Sequence, residues 1–347
     1  MSKPVALLQE YLIKNNYDAF LVPTNDEYLS EYVAPYAERL KWVSRFSGSS
    51  GISVIQKEKA AIFTDGRYTL QISEEVDSSL FSIHSNKDFY EWISQNIIDK
   101  SKLLIDPWLF SKKTFSRIEN LIKVSGAKIC LCKKNPIDII WEDQPKKPSS
   151  KSFLHDIIFS GKNYYDKIKD IQKELIKQEC DYFIVSSLDS IAWILNLRGS
   201  DIEHTPLNFA YLVIKAHGNA SLYSNLIKFD NSIISNFIPY VNIISQDELE
   251  KDISQIPKSC IVGLDEEKTP YWFVSKLNHN DIKIKLINDP CYYSKSIKNE
   301  TELNGAINSN IRDGVSVTKF LFWLKKEVDI YNTDEINAAD KLFELRK

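Results

Sequence analysis

The absences in this 347-residue sequence bound what it can be. No C-x-x-C pair occurs, and the five cysteines (Cys130, Cys132, Cys180, Cys260 and Cys291) are an odd number, four of them in apolar or strand-like runs. That pattern argues against a disulfide framework or a zinc site and for buried, reduced thiols. No stretch approaches the ~20 apolar residues that a membrane span requires. The opening MSKPVALLQEYL is broken by polar residues too early for a secretory signal. The expected compartment is therefore the cytoplasm, with no membrane partner. A basic excess is also missing: the formal net charge is −3, with Lys and Arg interspersed among Asp and Glu. Nucleic-acid binders usually show a basic stripe, so that class is not expected here.

Catalytic motifs are equally scarce. The five histidines (His84, His155, His204, His217 and His279) never pair at i+3 or i+4, and no H-E-x-x-H occurs. Gly48-Ser-Ser-Gly51 lacks the Gly-Lys-Ser/Thr end of a phosphate loop and reads as a tight turn. No G-x-S-x-G elbow supports a serine hydrolase.

What the chain does contain is an internal echo. The length calls for two or three domains, and 43% hydrophobic with 26% charged residues is ordinary for a globular protein. Leu8–Asp26, LQEYLIKNNYDAFLVPTND, matches Ile171–Asp189 without gaps at Gln, Leu, Ile, Lys, Asp, Phe, Val and Asp. Trp42 to Ser49 then shares a Trp-x5-Gly-Ser frame with Trp193 to Ser200. Two matches in the same order point to a duplicated domain. Between them the first copy carries an extra segment of about a dozen residues, roughly Glu27 to Glu38.

Periodicity places the elements. Val5–Asn15 has the apolar spacing of an amphipathic helix, and Asp18–Pro23 is a short buried-strand run. Ile52–Gln56 and Ala60–Thr64 form a hairpin, Asp65-Gly66 a turn, and Arg67–Ser73 opens a helix. Tyr28–Arg39 reads as a short helix or loop. Helix (Tyr90–Ile98), strand (Leu103–Asp106), helix (Ser111–Val124) and strand (Lys128–Cys132) follow. This alternation defines an α/β layered domain. Asp143–Ser152, rich in Pro, Ser and charge, reads as an interdomain linker. The second copy repeats the logic, with a hairpin at Phe209–Ile214 and Ser221–Ser224, then Ile261–Leu264, Pro270–Leu277 and Ile282–Ile287. The expected division is 1–150, 151–298 and 299–347. The last section starts at Asn299 with a capping box to Glu302, followed by an apolar helix face of Leu303, Ile307, Val315, Phe320 and Leu324. A second helix, about Asp334 to Lys347, takes Thr333 as its cap.

Two polar clusters, Thr64–Tyr68 and Arg198–Pro206, sit just past apolar strands or turns, where sites tend to be built. Structurally, Asp65 would turn the chain and Arg198 would pair with Asp201 or Glu203. Functionally, Arg67, Arg198, Asp201 and His204 are the candidates for lining a site.

Several long strings carry a resemblance: Val22–Gly51, Thr64–Gln71, Pro136–Pro148, Asp189–Ile214 and Lys298–Val328. Across its whole length the chain resembles the long, three-domain Xaa-Pro aminopeptidases (aminopeptidase P). The resemblance implies two creatinase N-terminal-like α/β domains, each a mixed sheet flanked by helices, and the opening helices of a pita-bread catalytic domain. It also implies release of an N-terminal residue ahead of proline by a water bridging two metal ions, usually manganese, and a possible homodimer. The family's ligands, two Asp, one His and two Glu, would lie beyond Lys347. No catalytic residue or metal ligand is therefore assigned here. The expectation is an N-terminal portion, inactive alone and binding no metal, whose domains shape access to the site and aid assembly. A non-catalytic peptide- or protein-binding scaffold is the alternative.

Overall fold

The computed structural model describes residues 3–326, 328 and 333–347. Two compact units divide the chain: Met1–Leu154 with Tyr164–Tyr292, and His155–Asn163 with Tyr293–Lys347.

The larger unit contains two six-stranded sheets. The first uses β1 (Ala19–Pro23), β2 (Gly51–Gln56), β3 (Ala60–Thr64), β4 (Phe81–Ser85), β5 (Lys102–Ile105) and β6 (Lys128–Leu131). A short pair, β7 (Phe153–Leu154) and β9 (Leu197–Arg198), stands apart. The second sheet uses β8 (Tyr182–Val185), β10 (Ala210–Lys215), β11 (Ala220–Ser224), β12 (Val241–Ser245), β13 (Ile261–Leu264) and β14 (Lys283–Leu286). The strand orders are β4-β3-β2-β1-β5-β6 and β12-β11-β10-β8-β13-β14, which is one topology used twice. In both sheets the first three strands pair antiparallel and the remaining pairs are parallel.

The repeated residues occupy repeated roles. Asp18 Oδ2 accepts the Lys102 amide at 2.8 Å, and Asp181 Oδ2 accepts the Ile261 amide at 2.7 Å. Each bond ties the start of a central strand to its parallel neighbour. Gln9 and Gln172 each donate from Nε2 to a carbonyl at the end of the paired strand, Gln56 and Lys215. The shared Trp-x5-Gly frame ends at glycines with no room for a side chain. A Cβ on Gly48 would stand 2.2 Å from the Phe46 ring, and one on Gly199 2.0 Å from Asn208 Oδ1.

Alternation along each central strand feeds two cores. Phe20 and Val22 face one layer with Leu8 and Phe46, whereas Ala19 and Leu21 face the other with Phe63 and Phe115. In the second sheet Phe183, Val185 and Leu212 join one core, while Ile184, Tyr211 and Val213 join another. That last core also takes in Tyr28, Ala34, Tyr36 and Ala37. The extra segment of the first copy is thus not a surface insertion but a wedge against the second sheet.

Helix ends complete the joint. Helix Lys112–Ser125, capped by Ser111, and helix Tyr271–His279 hold corresponding places in the two copies. The Tyr271 and Trp272 amides donate to the Phe110 and Pro107 carbonyls at 2.8 and 2.9 Å. In return the Lys112 and Lys113 amides donate to Thr269 and Glu266 at 3.0 and 2.8 Å. Each helix start thus has orphan N–H groups satisfied by the other domain. Trp108 stacks on Trp272 at 4.1 Å, and Phe115 stacks on Tyr271 at 3.4 Å.

In the smaller unit, the Asn299–Glu302 capping box is present in both directions, at 2.9 and 3.0 Å. It opens helix Glu300–Lys326, on which Leu303, Ile307 and Val315 are largely exposed. Helix Glu335–Arg346 is capped by Asp334, which accepts from the Asn337 amide at 2.8 Å, rather than by Thr333. Asp334 prevails because its carboxylate, not the preceding hydroxyl, reaches the N3 amide. Arg346 pairs with Asp313 across the two helices at 2.7 Å.

Tyr28 lies buried between Phe209 and Tyr211, with ring centroids 4.8 and 4.9 Å away. Tyr28→Ala is expected to lower stability by about 3–5 kcal/mol, the usual cost of emptying an aromatic core site. Urea titration with the exposed Tyr32→Ala as control checks this; equal, small losses would show that the wedge contributes little.

Candidate functional site

The polar groups of the larger unit converge where the wedge meets the second sheet. Asp26 starts it, with Oδ1 accepting the Tyr28 and Ser30 amides at 3.0 and 2.9 Å. Glu27 follows, its Oε1 accepting from Tyr36 and Lys147, and its carbonyl accepting from Tyr211 at 2.7 Å. Arg39 grips Asp138 in a two-pronged contact, Nε and Nη2 at 2.7 and 2.9 Å. Gln144 donates both to Asp138 and to the Tyr36 carbonyl. Lys147 also donates to the Tyr28 hydroxyl at 3.0 Å. The stretch read from composition as a linker is therefore held by polar contacts along its length, and Ser150 and Ser152 extend that hold into the second domain.

Burial sets the charges. It is the main cause lifting Asp26 to about 6, helped by Glu27 and opposed by the two amides. Burial likewise lifts Asp106 to about 6 against the Trp108 amide and Asn135. Burial alone would raise Glu27 too, but Lys147 and Arg39 outweigh it and hold that carboxylate below its ordinary range. Burial pushes the Tyr28, Tyr36 and Tyr211 hydroxyls up, so they stay protonated donors.

Two cavities open on this junction. A groove of about 440 Å³ is lined by Tyr28, Leu29, Tyr32, Leu188, Leu207 and Lys268, with Glu31, Asp189 and Glu267 supplying carboxylates. That size lies within the ~300–1,000 Å³ of small-molecule sites. A second cavity of about 280 Å³ has Glu27, Arg39, Asp106 and Lys134 in its walls.

The four residues named from the sequence fall into different settings. Arg67 is exposed in the first domain, where it pairs with Asp65 at 2.7 Å and stands over the Tyr68 ring. Asp65 caps the turn by accepting the Arg67 amide, as read from its position. Arg198 donates to the Ala192 and Leu197 carbonyls at 2.5 and 3.1 Å. Asp201 is buried, paired with the equally buried Lys228, and accepts from the Ser150 amide and hydroxyl and the Phe209 amide. His204 is exposed, with positive φ, and lies 3.7 Å from Glu203. Asp201 and His204 share the loop that follows β9, whose last residue is Arg198, while Arg67 belongs to the other domain. Sequence reading did not single out Glu27, Tyr36, Arg39, Asp138 and Lys147. For Glu27 and Tyr36 the signal was there in the extra segment itself, with its acidic start and its aromatics.

Two distinct family models, both described as creatinase/prolidase N-terminal domain, match residues 4–134 and 143–302. The chain belongs to this family and carries its N-terminal domain twice in tandem. More narrowly, it is similar to Xaa-Pro aminopeptidases P along nearly its whole length. A probable Xaa-Pro aminopeptidase P of Paracoccidioides brasiliensis is 33% identical over 99% of this chain and 59% of its own length. One from Pyrenophora teres f. teres is 31% identical, with 99% and 55% covered. The crystal structure of the X-prolyl aminopeptidase of Caenorhabditis elegans, a cytosolic enzyme with a di-nuclear active site, superposes with a TM-score of 0.92. It is 27% identical, with 99% of this chain and 59% of that one covered. This chain thus spans less than two thirds of these relatives.

Among the described residues no group of three or more His, Cys, Asp or Glu side chains could hold a metal ion. These residues do not fit a dinuclear centre, and no chemical step is assigned to them. No described helix is long and apolar enough to cross a membrane.

Two outcomes follow from this geometry. Asp26 and Asp106 hold a proton more tightly folded than unfolded, so their contribution is full below the unfolded value near ~3.9 and fades as pH rises through about 6. Stability is expected to fall by on the order of 2 kcal/mol between pH 5 and 7.5, and Asp26→Asn is expected to flatten that slope. Denaturant midpoints across pH check it, and a slope unchanged by Asp26→Asn would contradict the assignment. Lys228→Met strands the Asp201 carboxylate and is expected to cost about 3–5 kcal/mol, part of it recovered by adding Asp201→Asn, which removes the charge and keeps an acceptor for the Ser150 and Phe209 amides. A cycle without such recovery would show that the pair is not coupled.

Proposed function

We propose that these domains serve an Xaa-Pro aminopeptidase, a hydrolase releasing an N-terminal residue ahead of proline, in the cytoplasm and as a homodimer. The observation carrying this reading is the likeness to Xaa-Pro aminopeptidases P over 99% of the chain. A prolyl amide has no N–H and a fixed φ, so general aminopeptidases handle it poorly and a shaped approach is needed. Two manganese ions would supply the hydrolytic water of the whole enzyme. The role assigned to this chain's own residues is architectural. The two domains, locked through the wedge, form a stiff wall that sizes the approach for short peptides. Arg67 and His204, the exposed members of the sequence-named set, face the peptide, while Arg198 and Asp201 brace the loop that carries His204.

The groove of about 440 Å³ favours a second reading, a peptide-binding scaffold without chemistry. One assay separates the two. Purified residues 1–347 with Mn²⁺ and an Xaa-Pro peptide are expected to give no turnover and no tight metal binding. Metal-dependent release of the N-terminal residue would overturn the architectural role. Stoichiometric peptide binding without hydrolysis would favour the scaffold.

A further inference from the structure

One row of polar residues crosses the second sheet. Lys215 of β10 stands opposite Tyr182 of β8, and Ser221 of β11 lies between Val213 and Asn242 on its two neighbours. Helix Leu249–Ser254 contributes Asp252, whose Oδ2 accepts from the Tyr223 hydroxyl at 2.9 Å. With Ile244, Gln255 and Ile256 these residues line a cleft of about 320 Å³, wholly within the second domain.

The first copy has the same row and fills the space with rings. Its counterparts in register are Ala19 opposite Gln56, and Ala61 between Val54 and Ser82. Helix Phe89–Asn96 corresponds to helix Leu249–Ser254: each follows a serine-capped turn and buries the residues Phe89 and Ile93, or Leu249 and Ile253. Trp92 therefore stands where the second copy has Asp252. It packs edge-on against Phe63 at 5.7 Å, with His84 at 6.4 Å and Lys59 over its ring. Phe63 and His84 hold the places of Tyr223 and Ile244. The second copy has thus exchanged a ring for a carboxylate and kept an open polar cleft.

The walls define what fits. Among the described residues, Lys215 Nζ, Asp252 Oδ1 and the side-chain amides of Asn242 and Gln255 make no protein hydrogen bond, and the Lys215 and Asp252 atoms are not sealed from solvent. Burial first, and then the bond to Asp252, pushes the Tyr223 hydroxyl up, so it stays a donor that holds this carboxylate in place. One ammonium and one carboxylate face the same space, so a ligand of either net sign is repelled by one of them. A zwitterion would use those two groups and leave both amides idle. A set of hydroxyls, each donor and acceptor at once, uses all four. Val213, Ile244 and Ile256 add apolar surface for the C–H face of a ring. The volume lies at the small end of the ~300–1,000 Å³ range of ligand sites.

We propose that this cleft binds a monosaccharide, with sugar hydroxyls on Asp252 Oδ1, Lys215 Nζ and the Asn242 and Gln255 amides. The site belongs to the second domain alone and does not rest on the aminopeptidase reading.

D-glucose, D-galactose and D-mannose are the probes, titrated into the 347-residue chain by saturation-transfer NMR. Saturable binding of at least one, with a Kd of about 10 mM or tighter, is expected. Cyclohexanol, which keeps a ring and one hydroxyl, and the zwitterion L-serine are each expected to bind at least about tenfold more weakly. Asp252→Trp restores the first copy's residue and is expected to abolish sugar binding. Lys215→Gln also restores the first copy's residue, breaks no bond within the protein, and is expected to weaken the sugar about tenfold, the loss of one charge-assisted hydrogen bond. Circular dichroism reports whether each variant is folded, and the Lys215 variant decides the point if the tryptophan variant is not. No saturation by any of the three sugars up to about 50 mM would overturn the proposal. So would equal or tighter binding of cyclohexanol or L-serine, or undiminished sugar binding by a folded variant.

Discussion

The structure of the larger unit depends on two related helices satisfying each other's N-termini. Helix starts leave N–H groups that their own turns cannot reach. Here Tyr271 and Trp272 find the carbonyls of Phe110 and Pro107, while Lys112 and Lys113 find those of Thr269 and Glu266. Neither domain closes its helix alone. The stacked pairs Trp108–Trp272 and Phe115–Tyr271 then exclude water from those bonds, which strengthens them and raises the cost of breaking them.

Duplication explains why such a joint could arise. The two copies share a topology, the same aspartate tie and the same glutamine tie, so corresponding surfaces were available to meet. What breaks the symmetry is the wedge. It replaces what would be an open apolar face over Phe209 and Tyr211 with Tyr28 and Tyr36 and brings Glu27 and Arg39 into low dielectric. Buried charge of that kind is tolerated only when paired, and Lys147 from the connecting stretch and Asp138 from the short helix before it supply the pairing. One segment thus joins the sheets, orders the linker and forms walls of both cavities.

The architecture was readable from the chain because it rests on local rules. A short continuous apolar run marked β1, its echo in the second copy marked β8, turn residues marked both hairpins, and Asn299 with Glu302 marked a helix start. The edge strands β4 and β12 were not legible: FSIHS and VNIIS mix polar and apolar residues over too short a run to show a period. The candidate site was less legible still. Glu27 and Lys147 lie 120 positions apart, as do Asp201 and Lys228 by 27, and nothing local predicts which charges will be buried together. Composition made Asp143–Ser152 look free, whereas Gln144, Lys147, Ser150 and Ser152 are all held by distant partners. Long-range polar contacts of this kind are set by the assembled fold, not by sequence spacing.

The central claim is that the two copies act as one body through this joint. Differential scanning calorimetry of the 347-residue chain beside a Tyr28→Ala/Trp108→Ala variant tests it most directly. The account requires one cooperative transition for the two domains of the intact chain, splitting into two when the joint aromatics are removed. Two separate transitions in the intact chain, or a single unsplit one in the variant, would contradict it.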